Sequence, residues 1–158
     1  MKYAFTILLI LITAVCTAQE DKKYKPLVKE LNTMLKDATE FSWMYEPDFE
    51  IVQPYKINGN TLSVIIKGTA NDTVVTHKYQ APLDDVYDFV RDVYYVLSFK
   101  TESVKVYELQ ADNWILISER DFFHLGKLED GTGHDWSRRF RKLVNAVYPL
   151  ANEFETLD

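Results

Sequence analysis

Hydrophobic and polar positions change their period along this chain, and each change marks an element. From Tyr24 to Thr39 the apolar residues Leu27, Leu31, Leu35 and Ala38 recur every three or four positions, with Val28 and Met34 beside them. That spacing predicts an amphipathic helix, with Pro26 in a first turn where a missing N–H costs nothing. Lys25, Lys29, Glu30, Lys36 and Asp37 fall mostly off the stripe. The period then shortens to two. Phe41–Tyr45 reads as a short strand and Phe49–Ile57 as a longer one, turned at Asn58-Gly59. In Thr61–Lys67, Leu62, Val64 and Ile66 alternate with Ser63, Ile65 and Lys67, the clearest strand signal in the chain. Gly68–Asp72 turns the chain again, and Thr73–Gln80 completes a meander before Pro82.

Residues 83–92 return to helical spacing: Leu83, Val86, Phe89 and Val90 on one side, with Asp84, Asp85, Asp88 and Asp92 as the wet side of a short helix. Strands follow over Val93–Phe99, Val104–Leu109 and Trp114–Phe123, the last two joined at Ala111-Asp112-Asn113. After a loop from Gly126 to Gly133, Trp136, Phe140, Leu143, Val147, Leu150 and Phe154 predict a helix over Asp135–Glu153, bent or ended near Tyr148 by Pro149. The expected fold class is α+β. A curled antiparallel sheet of six to seven strands carries an N-terminal amphipathic helix and a C-terminal helix packed on the sheet or barrel.

Four strands, then three, then a C-terminal helix over roughly residues 41–154 resembles the pleckstrin-homology-like barrel. The resemblance implies a domain that binds lipids, peptides or proteins, in a superfamily most of whose members are not enzymes. Where lipid-binding members carry basic residues in the first hairpin, this chain has Tyr45-Glu46-Pro47-Asp48, which argues against phosphoinositides. The layout is also similar to that of uncharacterised exported bacterial proteins, a likeness that implies no activity.

Residues 1–18, MKYAFTILLILITAVCTA, set the address. Lys2 opens the segment, an apolar run from Ala4 to Val15 follows, and the small residues Thr17 and Ala18 close it. This is the layout of a secretory signal peptide, too short for a comfortable membrane span. Cutting after Ala18 leaves residues 19–158 as a single α+β domain. The chain is then exported, either periplasmic or secreted, and not an integral membrane protein after cleavage. Cys16 is preceded by Thr13, Ala14 and Val15, a poor match to a lipobox, so a lipoprotein is not expected. Cys16 is also the only cysteine, so the mature chain has no disulfide, thiolate nucleophile or cysteine metal ligand. Missing disulfides favour a bacterial envelope over a eukaryotic secretory route. Loss of Lys2 takes the net charge from −6 to −7, which disfavours nucleic acid as a partner.

No catalytic signature stands out. HExxH, GxSxG, the P-loop and GxGxxG are absent, and His77, His124 and His134 share no ligand spacing. No metal or cofactor is expected. Glu119 and Asp121, two apart on a strand, would place carboxylates about 7 Å apart on one face, as a glycosidase could use. The ordinary reading of that pair is a wet strand face. The loop Glu129–Asp135 carries glycines before a helix, but its three carboxylates would repel a phosphate. Asn71-Asp72-Thr73 fits a glycosylation acceptor in a hairpin loop. Arg138, Arg139, Arg141 and Lys142 form the one basic cluster, and cations near a helix N-terminus are mildly unfavourable unless something offsets them. Arg138, Arg139 and Lys142 are therefore the candidate binding residues. The reading that follows is an exported, non-enzymatic domain binding a protein, peptide or small apolar ligand through an apolar patch or an open sheet edge. Two alternatives stand beside it: a small periplasmic or extracellular hydrolase using Glu119 and Asp121, and an accessory subunit of an envelope assembly.

Overall fold

In the computed structural model, described over residues 22–91, 93–129 and 133–147, the first helix (α1) covers 22–37. Its stripe is buried as the spacing predicts: Leu27, Leu31, Met34 and Leu35 are all nearly inaccessible to solvent. Residues 1–21, Asp92, residues 130–132 and everything beyond 147, Pro149 included, lie outside the described residues.

Eight antiparallel strands follow, in two sheets rather than one curled sheet of six or seven. They are β1 Phe49–Asn58, β2 Thr61–Ala70, β3 Thr73–Pro82, β4 Val86–Arg91, β5 Tyr95–Phe99, β6 Val104–Gln110, β7 Asn113–Arg120 and β8 Phe122–Gly126. The five-stranded sheet runs β1-β2-β3-β6-β7, and the three-stranded sheet runs β4-β5-β8. The grouping is therefore five and three, and β3 pairs with β6 instead of its successor β4. The hairpin turns are tight. Asn71 and Asp72 between β2 and β3, and Ala111 and Asp112 between β6 and β7, all have positive φ, the two-residue geometry that matches strand twist.

Three expectations change. Phe41–Tyr45 is not a strand. It is a turned loop, in which Tyr45 N–H donates to Ser42 O and the Tyr45 ring sits where a Cβ on Gly68 would meet it at 2.8 Å. Residues 83–91 of the expected 83–92 helix are not helical throughout. A three-residue helical turn, Leu83–Asp85, is followed by β4, whose bulge between Val86 and Asp88 buries Val86 and Phe89 three positions apart and so imitates helical spacing. Asp88 is buried, not wet. Trp114–Phe123 is two strands, because the chain bends at Asp121 and crosses from one sheet to the other; there Asp121 O accepts Phe99 N–H at 2.7 Å.

The second helix (α2) spans Gly133–Val147. It covers the smaller sheet through aromatic contacts: Phe140 lies 4.8 Å from Phe89, and Trp136 lies 4.7 Å from Tyr95, between ring centroids. The two helices meet through Arg139 and Glu30 at 3.1 Å. No helix of the described residues is long and apolar enough to cross a membrane.

Candidate functional site

Two regions hold chemistry: a buried polar chain between the sheets, and the free edge and outer face of the larger sheet. The buried chain comes first. Tyr45 Oη lies 2.6 Å from His77 Nδ1 and 2.9 Å from Tyr79 Oη. His77 Nε2 is buried without a hydrogen-bond partner, and the nearest acceptor, Glu108 Oε2, stands 3.5 Å away, too long for a good bond. If Tyr45 donates to Nδ1, its single hydrogen is used and Tyr79 must donate to it. Nearby, His124 Nδ1 meets Ser42 Oγ at 3.0 Å.

Burial sets the ionisation of these groups. It holds His77 below the ordinary histidine range, only partly opposed by Glu108. Burial, helped by the charge of Arg120, takes His124 down to about 4. Burial likewise pushes the Tyr45 and Tyr79 hydroxyls up, so both stay neutral. A neutral, enclosed imidazole and two neutral phenols offer no exposed base and no activated nucleophile. What this chain of groups does is fasten the 41–48 loop to β3 and β8.

The sequence candidates are scattered. Glu119 is half-exposed on β7 and sits 3.9 Å from Lys105, while Asp121 is exposed at the bend. Neither lines a cleft among those described. Arg139 is committed to Glu30 and borders a shallow cleft of about 310 Å³ between the helices. Arg141 reaches back to Asp88 Oδ1 at 3.5 Å and donates to Phe89 O. Arg138 and Lys142 are exposed and make no ion pair with a described residue. The basic cluster is therefore dispersed by packing and is not gathered at one site. The side chain of His134 and the 130–132 loop lie outside the described residues. Asp85, assigned by spacing to a wet helix face, instead accepts from Thr101 and Ser103, each at 2.7 Å, which holds its carboxyl low.

The edges of the two sheets differ sharply. On β1, Asn32 of α1 takes both backbone groups of Tyr55: Nδ2 donates to Tyr55 O at 2.9 Å, and Oδ1 accepts Tyr55 N–H at 2.7 Å. Pro54 and two register shifts blunt that edge further. On β4, Phe89 N–H donates to Asp88 Oδ1 and Phe89 O accepts from Arg141. On β8, Tyr55 Oη donates to Leu125 O at 3.1 Å, and the chain at Glu40 bridges to Lys127. On β7 nothing among the described residues pairs with or caps the outer edge.

The uncapped edge is also apolar. Ile115, Leu116 and Ile117 are consecutive and 44%, 45% and 42% exposed, far above what buried strands allow. Across the hairpin, Leu109 is 39% exposed. The register skips Ile117, which forms a bulge opposite Val106 and Tyr107. The two-residue turn makes Gln110–Asn113 the closing hydrogen-bonded pair, so Trp114 and Leu116 fall in pairs whose N–H and C=O groups point away from β6. At the far end of β7, Arg120 Nη1 touches Met44 Sδ at 3.1 Å, in the loop where neighbouring Trp43 stands 66% exposed. Sequence reading missed this strand as a site because its Trp-Ile-Leu-Ile run looks like core. Only the lack of a neighbour beyond it reveals otherwise.

In comparisons with protein-family models, with curated proteins and with solved structures, nothing matches this chain. The fold and the edge therefore define it by themselves: an α+β arrangement of two antiparallel sheets with an apolar edge that nothing among the described residues covers.

Proposed function

We propose that this protein is an exported, non-enzymatic interaction domain that receives an extended segment of a partner protein along β7. The observation that carries the reading is the contrast between edges: β1, β4 and β8 each have outward backbone groups capped by side chains from elsewhere in the fold or by neighbouring backbone, while nothing among the described residues caps β7, which is apolar. A strand added there would gain main-chain hydrogen bonds for affinity and would cover Ile115, Leu116 and Ile117. Export rests on the signal-like residues 1–18, and the basic face of α2 at Arg138 and Lys142 is left as a secondary surface.

The test is a titration of the mature chain, residues 19–158, with a ten-residue synthetic peptide of strong strand propensity, followed through backbone amide signals. The expected result is shifts confined to residues 113–120 and their neighbours. Leu116→Pro removes one outward N–H and should abolish those shifts, and Ile117→Lys should weaken binding as edge lysines do. Shifts centred on Arg138 and Lys142 would move the site to α2. No shift on β7 at any peptide concentration would sink the proposal.

A further inference from the structure

The outer face of the larger sheet, beside β7, carries an unbalanced charge. Val104 and Val106 face the core, so Lys105 and Tyr107 turn to the other side. The register then places Lys78 beside Tyr107, and Tyr107 beside Leu116, on that same outer face, with Leu109 and Trp114 as the adjacent pair. Four lysines share this face across the sheet. Lys67 has Glu50 at 3.3 Å and Lys105 has Glu119 at 3.9 Å. Lys56 and Lys78 have no carboxylate partner among the described residues.

Lys78 is held in an unusual way. Its Nζ lies 4.5 Å from the centroid of Tyr107 and 4.8 Å from that of Trp114. The side chain thus reaches from β3 over the Tyr107 ring of β6 to the Trp114 ring, whose side chain comes from β7. The two ring faces attract the cation but cannot neutralise it. Partial burial and the like charge of Lys56 both act against the charged form, and hold Lys78 below the usual lysine range. In a chain of net charge −6 with acids to spare, this ammonium has no carboxylate partner among the described residues, and it lies beside the uncapped edge.

A strand added to β7 would lie about 4.8 Å from it, with alternate side chains projecting over the Trp114 and Leu116 face. An acidic side chain there would extend toward the Trp114 ring that the Lys78 ammonium touches. We infer that the segment β7 receives is acidic, carrying an Asp or Glu on the outer-face phase that closes on Lys78 over the Tyr107 and Trp114 rings. The inference deepens the edge-pairing function and rests on it. The opposite phase of the added strand would meet Ile115, so the chemistry read by this edge is a carboxylate on one face and an apolar side chain on the other.

Three synthetic ten-residue strand peptides, identical except for Glu, Gln or Lys at one central outer-face position, test this by calorimetric titration and amide mapping. The Glu peptide should bind about fivefold more tightly than the Gln peptide, with the Lys peptide weakest and the preference shrinking at high salt. Lys78→Gln should erase the preference between the Glu and Gln peptides, and Lys78→Arg should restore it. A thermal melt of each variant separates this from misfolding. Equal binding of all three peptides to β7, unaffected by Lys78→Gln, would overturn the acidic preference and leave the edge-pairing function standing. Failure of every peptide to touch β7 would overturn both.

Discussion

At the scale of single residues, the two enclosed histidines make stability depend on pH. His124 is held near 4 in the folded chain against about 6.5 when unfolded, and His77 is lowered as well. A lowered folded-state value means that the unfolded chain takes up protons first as pH falls. Stability is therefore full above about pH 6.5, declines as pH drops through the window from 6.5 to 4, and by its lower end has lost roughly 3 kcal/mol from His124 alone. Chemical denaturation at a series of pH values should show that slope, and His124→Phe should flatten it. An unchanged slope in the variant would remove His124 as its source. The sequence held these residues only as isolated histidines without ligand spacing. Their neutrality comes from burial first and the charge of Arg120 second, and both are set by folding across long stretches of chain.

At the scale of elements, strands with clean alternation were legible and irregular ones were not. β2, β3 and the hairpin turns follow directly from period two and from Asn, Asp and Gly at the turns. β4 was not legible, because a helical turn followed by a bulge buries residues at spacing three, and periodicity alone cannot separate that from a helix. The division of β7 from β8 was hidden for the reverse reason: the apolar pattern continues while the chain changes sheets at Asp121. α2 was legible through its aromatic face. Phe140 is fully buried, 4.7 Å from Trp136 and 4.8 Å from Phe89, so Phe140→Ala should cost about 3–5 kcal/mol in urea denaturation. Lys142→Ala, on the exposed face of the same helix, should cost less than about 0.5 kcal/mol. Similar losses at the two positions would refute this account of the packing.

At the scale of the whole molecule, two open sheets present four edges, and their protection is distributed among distant elements. Asn32 guards β1 from a helix more than twenty residues upstream, and Arg141 guards β4 from a helix some fifty residues downstream. Asn32→Ala would leave both backbone groups of Tyr55 without their partner, at a cost of about 1–3 kcal/mol, and would expose a second strand edge. Size-exclusion chromatography of the variant should show more high-mass species than the parent chain. An unchanged elution profile together with an unchanged denaturation midpoint would mean that Asn32 does not close that edge.

The sequence by itself determined the local alphabet of this protein: an amphipathic first helix, antiparallel hairpins with tight turns, an aromatic second helix, and a segment with the layout of an export signal. These follow from periods and turn residues, which act over a few positions. Tertiary structure alone decided which strands became neighbours, which polar groups were enclosed, and which edge was left open. Those outcomes depend on contacts between residues far apart in the chain. The apolar run at Trp114–Ile117 reads the same whether or not another strand lies beyond it, and among the described residues none does.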